Sequence, residues 1–225
     1  MGRNLSKMGE TDLRGWAARI GLILNQSSDH DAAGWDFILE WPFAARAKSD
    51  TLHLTADREC GPLQCLLQVK ATDRRGISWP VKLSNWLRFV KSPLPCFFLV
   101  LEYDGLEECQ RAYLVPVWEE YIRRVLKRVR RLSIDNPRVA LHRHTFSFAP
   151  ALADELASRS GQGLDERIRA HVGSSMEDYA RRKVELVKTV GYETGGKRLN
   201  ARVLPPEEWM GDPNDLLIDF LLGLV

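Results

Sequence analysis

The chain has 225 residues, 44 % of them hydrophobic and 28 % charged, which suits one globular core and excludes a chain dominated by disorder. Its formal net charge of +2 excludes a uniformly basic protein, so any surface that binds nucleic acid must be local. The four cysteines form no CxxC pair and no stretch approaches twenty apolar residues, so we expect no zinc site, no membrane span and a cytoplasmic protein.

An amphipathic helix is predicted from Gly9 to Asn25, because apolar residues recur there at helical spacing. Glu10 falls in its first turn, where the helix dipole favours a carboxylate; it either starts the helix or projects toward the later strands as a metal-site acid. The polar loop that follows crowds together Asp29, His30 and Asp31. Turn formation is the favoured interpretation of this loop, and metal ligation is the alternative.

Two strands are predicted at the ends of the segment from Gly34 to Thr72, with a possible short strand at 52–54 between them. Asp36 precedes the apolar residues of the first strand. Gln68 and Lys70 lie in the second and point to one face, because side chains alternate along a strand. A buried lysine needs an anionic neighbour, and Asp36 is the nearest candidate in the sequence.

These polar residues predict a magnesium site on adjacent strands. The Asp36 carboxylate and the Gln68 amide oxygen are ligands that suit Mg²⁺ or Mn²⁺, and Lys70 would lie beside an attacking water. This combination indicates hydrolysis of phosphodiester bonds.

Two later segments are candidates for contacts with a nucleic-acid backbone. Arg74 and Arg75 lie in the turn after the second strand, and a solvated turn is an equal alternative. A helix is predicted from 118 to 132, and the absence of interleaved acids raises the case for phosphate contact above that of an ordinary solvated face. The cationic candidates on this helix are Arg123, Arg124, Lys127, Arg128 and Arg131.

The other elements complete an α/β order. A continuous apolar run from Cys96 to Leu101 indicates a central strand covered on both faces, and Pro116 puts the neighbouring strand nearer an edge. Short helices are predicted at 84–90 (with Ser84 as a possible N-cap), 151–159 and 176–190, a strand at 142–148, a hairpin at 191–203 and an apolar packing segment at 216–225. A structural role is favoured for His142 and His144 over metal ligation.

The ordered set of Glu10, Asp36 and Gln68-Val69-Lys70 resembles the PD-(D/E)XK nuclease superfamily. The pattern of that superfamily is an Asp at the start of one strand, a Glu or Gln two residues before a Lys on the next, and often a Glu on the preceding helix. More narrowly, the segments 9–16, 21–22, 34–36 and 68–72 look like nuclease domains of bacterial anti-phage defence effectors. The likeness covers about residues 5 to 132.

The resemblance implies a restriction-endonuclease-like α/β fold, with a mixed central sheet flanked by helices over residues 1–132. The elements predicted further along the chain indicate a small C-terminal α+β extension over residues 133–225. It implies one or two Mg²⁺ ions, held chiefly by Asp36, more weakly by Gln68 and directly or through water by Glu10. Lys70 would orient the water and stabilise the charge that develops on phosphorus.

The implied substrate is double-stranded DNA, and the implied assembly is a homo-oligomer or a larger defence complex. The alternatives are a catalytically silent nucleic-acid-binding or scaffold subunit and an RNA-cleaving enzyme. Gln68 departs from the commonest pattern, because its neutral amide binds Mg²⁺ more weakly than a carboxylate and makes Glu10 or Glu40 more necessary. Glu40 is about 13 Å from Asp36 by strand rise, too far to share one ion on a straight strand.

Overall fold

A five-stranded mixed sheet with helices on both faces organises the chain in the computed structural model. The structure describes residues 2–27, 34–42, 62–173 and 175–192. The predicted α/β class, with a mixed central sheet flanked by helices, is confirmed at this level. The loop from Asp29 to Asp31, the possible strand at 52–54, most of the hairpin predicted from 191 and the apolar tail from 216 lie outside the described residues.

Seven strands and five α-helices are defined within these ranges. The strands are β1 (Ile23–Gln26), β2 (Phe37–Glu40), β3 (Gln64–Thr72), β4 (Trp79–Lys82), β5 (Cys96–Glu102), β6 (Arg111–Pro116) and β7 (Thr145–Phe148). The helices are α1 (Leu5–Arg19), α2 (Leu83–Lys91), α3 (Glu119–Asp135), α4 (Gly161–Val172) and α5 (Met176–Thr189). In the described part of the chain, none of these helices combines the length and apolar character needed to cross a membrane.

The main sheet has the order β1-β2-β3-β5-β6, in which β3 and β5 are parallel and the other neighbours antiparallel. Strand β5 lies between β3 and β6, and all seven of its residues are buried, which confirms the central strand predicted from its apolar run. Strand β6 lies at the edge, as Pro116 predicted. Strands β4 and β7 form a separate two-stranded sheet.

Each face of the main sheet has its own core. Helices α1 and α4 cover the face that carries Leu67, Val69 and Leu99, which we name the α1 face. Helices α2 and α3 cover the opposite face, which carries Leu66 and Phe98 and which we name the α2 face. Side chains alternate along a strand, so this division decides which polar residues of β3 share a surface.

Residues 133–191 belong to the same packed unit as the sheet, so the boundary predicted at 132 is wrong. The chain divides into Met1–Gly191 and Tyr192–Val225. Strand β7 pairs with β4, and Leu164 and Ile168 of α4 are fully buried in the core of the α1 face. A helix of ordinary length covers only part of a sheet, so the face left open by α1 is completed by a segment far along the chain.

Several predicted boundaries also change. Helix α1 begins at Leu5, where Asn4 Oδ1 accepts a hydrogen bond from the Lys7 backbone N–H at 3.1 Å, so Glu10 lies in the second turn. The helix ends at Arg19, and Ile23–Gln26 forms a strand that the helical pattern concealed.

Two later helix predictions have opposite outcomes. The helix predicted at 151–159 is absent; helix α4 begins only at Gly161, where Ser160 Oγ accepts from the Gly163 N–H. The helix predicted at 176–190 is present as α5, and Ser175 caps it by accepting a hydrogen bond from Asp178 N–H at 3.0 Å. A serine thus caps both α4 and α5, although apolar spacing alone misplaced α4.

Candidate functional site

The predicted site residues Asp36, Gln68 and Lys70 meet where β2 separates from β3. The backbone N–H of Asp36 donates to Leu67 O at 2.9 Å, which is the last ladder bond between the two strands on this side. Beyond it, Asp36 Oδ2 accepts from the backbone N–H of Val69 at 2.7 Å. The carboxylate therefore takes the place of a missing strand partner, and it is held beside the residue that lies between Gln68 and Lys70.

Gln68 carries a buried acceptor that has no partner. It is paired with Phe98 in the β3–β5 ladder, so its side chain projects from the α2 face, and only 8 % of the residue is exposed. Within the part of the chain that the structure describes, its Oε1 atom is buried without a hydrogen bond. The indole N–H of Trp79, in the small sheet, is also unpaired. A buried acceptor without a hydrogen bond lowers the stability of the folded state by about 1–3 kcal/mol. A ligand that bound to Gln68 Oε1 would remove this cost.

Lys70 projects from the same face, because it is paired with Val100 in the ladder. Burial lowers the pKa of its ammonium group, and the nearby Asp36 carboxylate raises it. The anionic neighbour that a buried lysine requires is therefore Asp36, the residue predicted from the sequence.

Glu10 approaches from the other side of the sheet. Gly9 packs so closely on β3 that a Cβ atom there would lie 3.1 Å from Ala71 Cβ, which puts α1 on the α1 face. The Glu10 carboxylate contacts Gln26 Nε2 at 3.5 Å. The role of Glu10 as a further metal ligand stays a prediction.

Glu40 is held at the far end of β2. Its Oε2 atom accepts from Gln64 Nε2 at 2.7 Å, in the last register pair of the β2–β3 ladder. Gln64 precedes Gln68 by four residues, about 13 Å of strand. Glu40 therefore does not substitute for the missing second carboxylate.

The donor set at the site fits a hard divalent cation. Asp36 offers a carboxylate and Gln68 offers the orphaned amide oxygen. Mg²⁺ is commonly held by one or two protein carboxylates together with waters and substrate phosphates. Among the described residues, no three His, Cys, Asp or Glu side chains group as a metal site, so neither His142 nor His144 belongs to one.

The predicted basic turn after β3 is already engaged on the protein. Arg75 forms an ion pair with Asp104 at 2.7 Å, and Arg111 contacts the same carboxylate at 3.0 Å. Arg74 is exposed to solvent. Of the two arginines predicted to touch nucleic acid here, Arg74 is the one that could do so without breaking an ion pair within the described structure.

The basic face of α3 is partly neutralised, contrary to the expectation that it has no interleaved acid. Glu120, in the first turn, forms an ion pair with Arg123 at 2.7 Å and lies 3.9 Å from Arg124. The Arg124 guanidinium also lies 4.9 Å from the ring centroid of Phe146. Acids three or four residues from a cation share one helix surface. Three predicted cations remain on this helix, of which Lys127 and Arg131 have other contacts and Arg128 is exposed.

Sequence reasoning missed a cleft on the α2 face beside the site. It has a volume of about 730 Å³, and its lining includes Trp35, Ile38, Leu66, Leu87, Arg88 and Lys91. The available signals were a tryptophan directly before Asp36 and two cations on the amphipathic α2. Only the tertiary structure brings Trp35, Leu66 of β3 and helix α2 to one surface.

Comparison of the sequence with protein-family models and curated proteins, and of the fold with solved structures, found no match. Asp36, Gln68 and Lys70 therefore carry any functional assignment through their own chemistry and arrangement.

Proposed function

We propose that the chain is a metal-dependent endonuclease that hydrolyses phosphodiester bonds of DNA. The single observation that carries the proposal is the buried Gln68 Oε1, which has no hydrogen-bond partner among the described residues and lies beside the Asp36 carboxylate and the Lys70 ammonium. A structural polar cluster would pair such an acceptor internally, whereas a ligand site leaves it for the ligand. The likeness to anti-phage nuclease domains is what adds bacterial defence as the setting of this activity.

Asp36 and Gln68 would hold Mg²⁺ or Mn²⁺ through their side-chain oxygens. When bound, such an ion supplies Lewis-acid stabilisation of the phosphoryl oxygens and lowers the pKa of a water. The Val69 N–H fixes the direction of the Asp36 carboxylate, so that no side-chain rotation is needed to receive the cation.

Lys70 would hold the nucleophilic water and stabilise negative charge on phosphorus. Its ammonium has three N–H donors and sits in a half-buried position, where its interaction with an anion is stronger than in bulk water. The Asp36 carboxylate favours its charged form, which opposes the effect of burial.

Plasmid cleavage tests this proposal. Wild-type protein should nick or linearise supercoiled DNA with Mg²⁺ or Mn²⁺ and not with EDTA. Asp36→Asn and Lys70→Met should each lower the rate by at least about a hundredfold, since each removes a group that acts on the developing charge. Glu40→Gln is the matched control on the same strand and should cleave like wild type. Cleavage by Asp36→Asn at the wild-type rate would refute the assignment.

A catalytically silent nucleic-acid-binding domain is the second candidate, favoured by the neutral amide at Gln68. Gln68→Glu distinguishes the two. In an active enzyme the added carboxylate should tighten metal binding and lower the Mg²⁺ concentration needed for half-maximal cleavage. A wild type that binds DNA but never cleaves it, together with a Gln68→Glu variant that does, would identify the silent form.

A further inference from the structure

The cleft is lined by residues that neighbour the proposed site along the chain. Trp35 directly precedes Asp36, and Leu66 precedes Gln68 by two residues on the same face of β3. By strand rise, the distance from Leu66 to Gln68 is about 7 Å. This is about two base steps along one strand of B-form DNA. A polynucleotide with a phosphate at Asp36 would therefore place a nucleotide one or two positions along the strand at the cleft.

The rim of the cleft is cationic. Arg88 and Lys91 both lie on α2, and both are exposed to solvent. Neither has an ion pair or a side-chain hydrogen bond with any residue that the structure describes. Cations that are not neutralised by the protein are suited to phosphate groups, which release counterions when they bind.

Trp35 forms an aromatic wall that is held against α2. Gly34 has a φ of +84°, and a Cβ atom there would lie 3.2 Å from Asn85 Cγ, so a side chain at residue 34 would strain the backbone and crowd α2. The Trp35 side chain is half-buried. An indole fixed beside two cations is the combination by which proteins stack an unpaired base and hold its flanking phosphates.

We infer that this cleft binds an unpaired nucleobase next to the phosphate that is held at Asp36, with Trp35 as the stacking partner and Arg88 and Lys91 as phosphate contacts. The inference rests on the proposed function and narrows its substrate to single-stranded or locally unpaired DNA. The volume of about 730 Å³ falls within the range of about 300–1,000 Å³ for small-ligand sites. Most of the lining is apolar, with Ser84 and Ser92 as its hydroxyl groups, and every base has a face that can stack on an indole, so we expect weak preference among bases.

Fluorescence anisotropy with labelled oligonucleotides in EDTA tests the inference. The probes are one single strand, the same sequence as a blunt duplex, and that duplex with one unpaired nucleotide. A label on the DNA is needed because the chain contains seven tryptophans, whose combined emission would mask that of Trp35. The variants are Trp35→Ala, Trp35→Phe and the double variant Arg88→Gln with Lys91→Gln; Lys7→Gln, an exposed cation on α1, is the control.

Wild type should bind the single strand and the interrupted duplex more tightly than the blunt duplex. Trp35→Ala should weaken binding to the first two by about 5- to 100-fold, while Trp35→Phe keeps most of the affinity because a ring remains to stack. For the single strand, the slope of log K against the logarithm of salt concentration should become shallower by about 0.7 for each phosphate contact that the double cation variant loses. Lys7→Gln should change neither quantity, and thermal melting confirms that each variant is folded.

Equal affinity of Trp35→Ala and wild type for the single strand would overturn the inference. So would a wild type that binds an acidic leucine-rich peptide in the cleft but none of the three DNA probes. Since binding is measured without metal, a failure of plasmid cleavage overturns the proposed nuclease activity separately and leaves the binding result readable.

Discussion

Replacing Gln68 with methionine should stabilise the metal-free protein and abolish its activity. Only 8 % of Gln68 is exposed to solvent, and its buried Oε1 has no hydrogen-bond partner among the described residues. Methionine has a similar length and would pack its thioether against Phe98, the ladder partner of Gln68. Few single substitutions in a core are stabilising, so the sign of this effect is itself informative.

The magnitude follows from the cost of the orphaned acceptor. Burying a carbonyl oxygen without a hydrogen bond costs about 1–3 kcal/mol, and the free energy of unfolding should rise by a similar amount when that oxygen is removed. Wild type should recover the difference on binding metal. A ligand present at a hundredfold excess over its Kd stabilises the folded state by about 2.7 kcal/mol. The methionine variant, which lacks one ligand, should gain much less from Mg²⁺.

Urea unfolding followed by far-ultraviolet circular dichroism, with EDTA and with Mg²⁺, measures both effects. Gln64→Met is the matched control, because Gln64 lies on the same strand but donates to Glu40 at 2.7 Å. That variant should lose stability and keep its response to metal. Equal or lower stability of Gln68→Met in EDTA would show that Oε1 is satisfied in solution, and the case for a ligand at Gln68 would fail.

The remaining predictions concern Lys183 and His171, two basic side chains that lie away from the proposed site. Lys183 is 1 % exposed and donates to Phe89 O at 2.9 Å and to Leu94 O at 2.7 Å, tying α5 to the end of α2. Urea unfolding should show that Lys183→Met lowers the free energy of unfolding by about 2–4 kcal/mol, because these two carbonyls lose their donor. Lys188→Met, on the same helix, is the control and should change the free energy of unfolding by less than about 0.5 kcal/mol. Burial, with help from nearby cations, lowers the pKa of His171 to about 4 from 6.5. As the pH falls, the unfolded chain therefore takes up the proton at a higher pH than the folded chain does. The contribution of His171 to stability should be fully present above about pH 6.5 and decrease toward pH 4. Urea unfolding across this range should show a smaller decrease for His171→Gln.

Much of the proposed site could be predicted because its residues are ordered by local rules. Strand alternation alone predicts that Gln68 and Lys70 share one face, and their ladder partners Phe98 and Val100 confirm it. The cost of a buried ammonium predicts an acid beside Lys70, and Asp36 is that acid.

Other parts of the site depended on contacts between distant segments. The apolar stripe of the helix that carries Glu10 does not indicate which face of the sheet that helix will cover. In the structure, α1 covers the face opposite to the one from which Gln68 projects. Arg75 was predicted as a phosphate contact from its turn, but its ion pair with Asp104 requires β3 and β5 to end side by side. The cleft likewise requires α2 to pack beside Trp35.

The sequence by itself determined the two strands, the direction of their polar side chains and the buried course of β5, because hydrophobic periodicity and alternation act over a few neighbouring residues. Only the tertiary structure decided that residues 133–191 complete the core, that α1 and α2 cover opposite faces, and that Trp35 and the cations of α2 border one cleft. An apolar stripe specifies that a surface must be buried without specifying its partner, and that choice depends on how all the elements fit around one sheet.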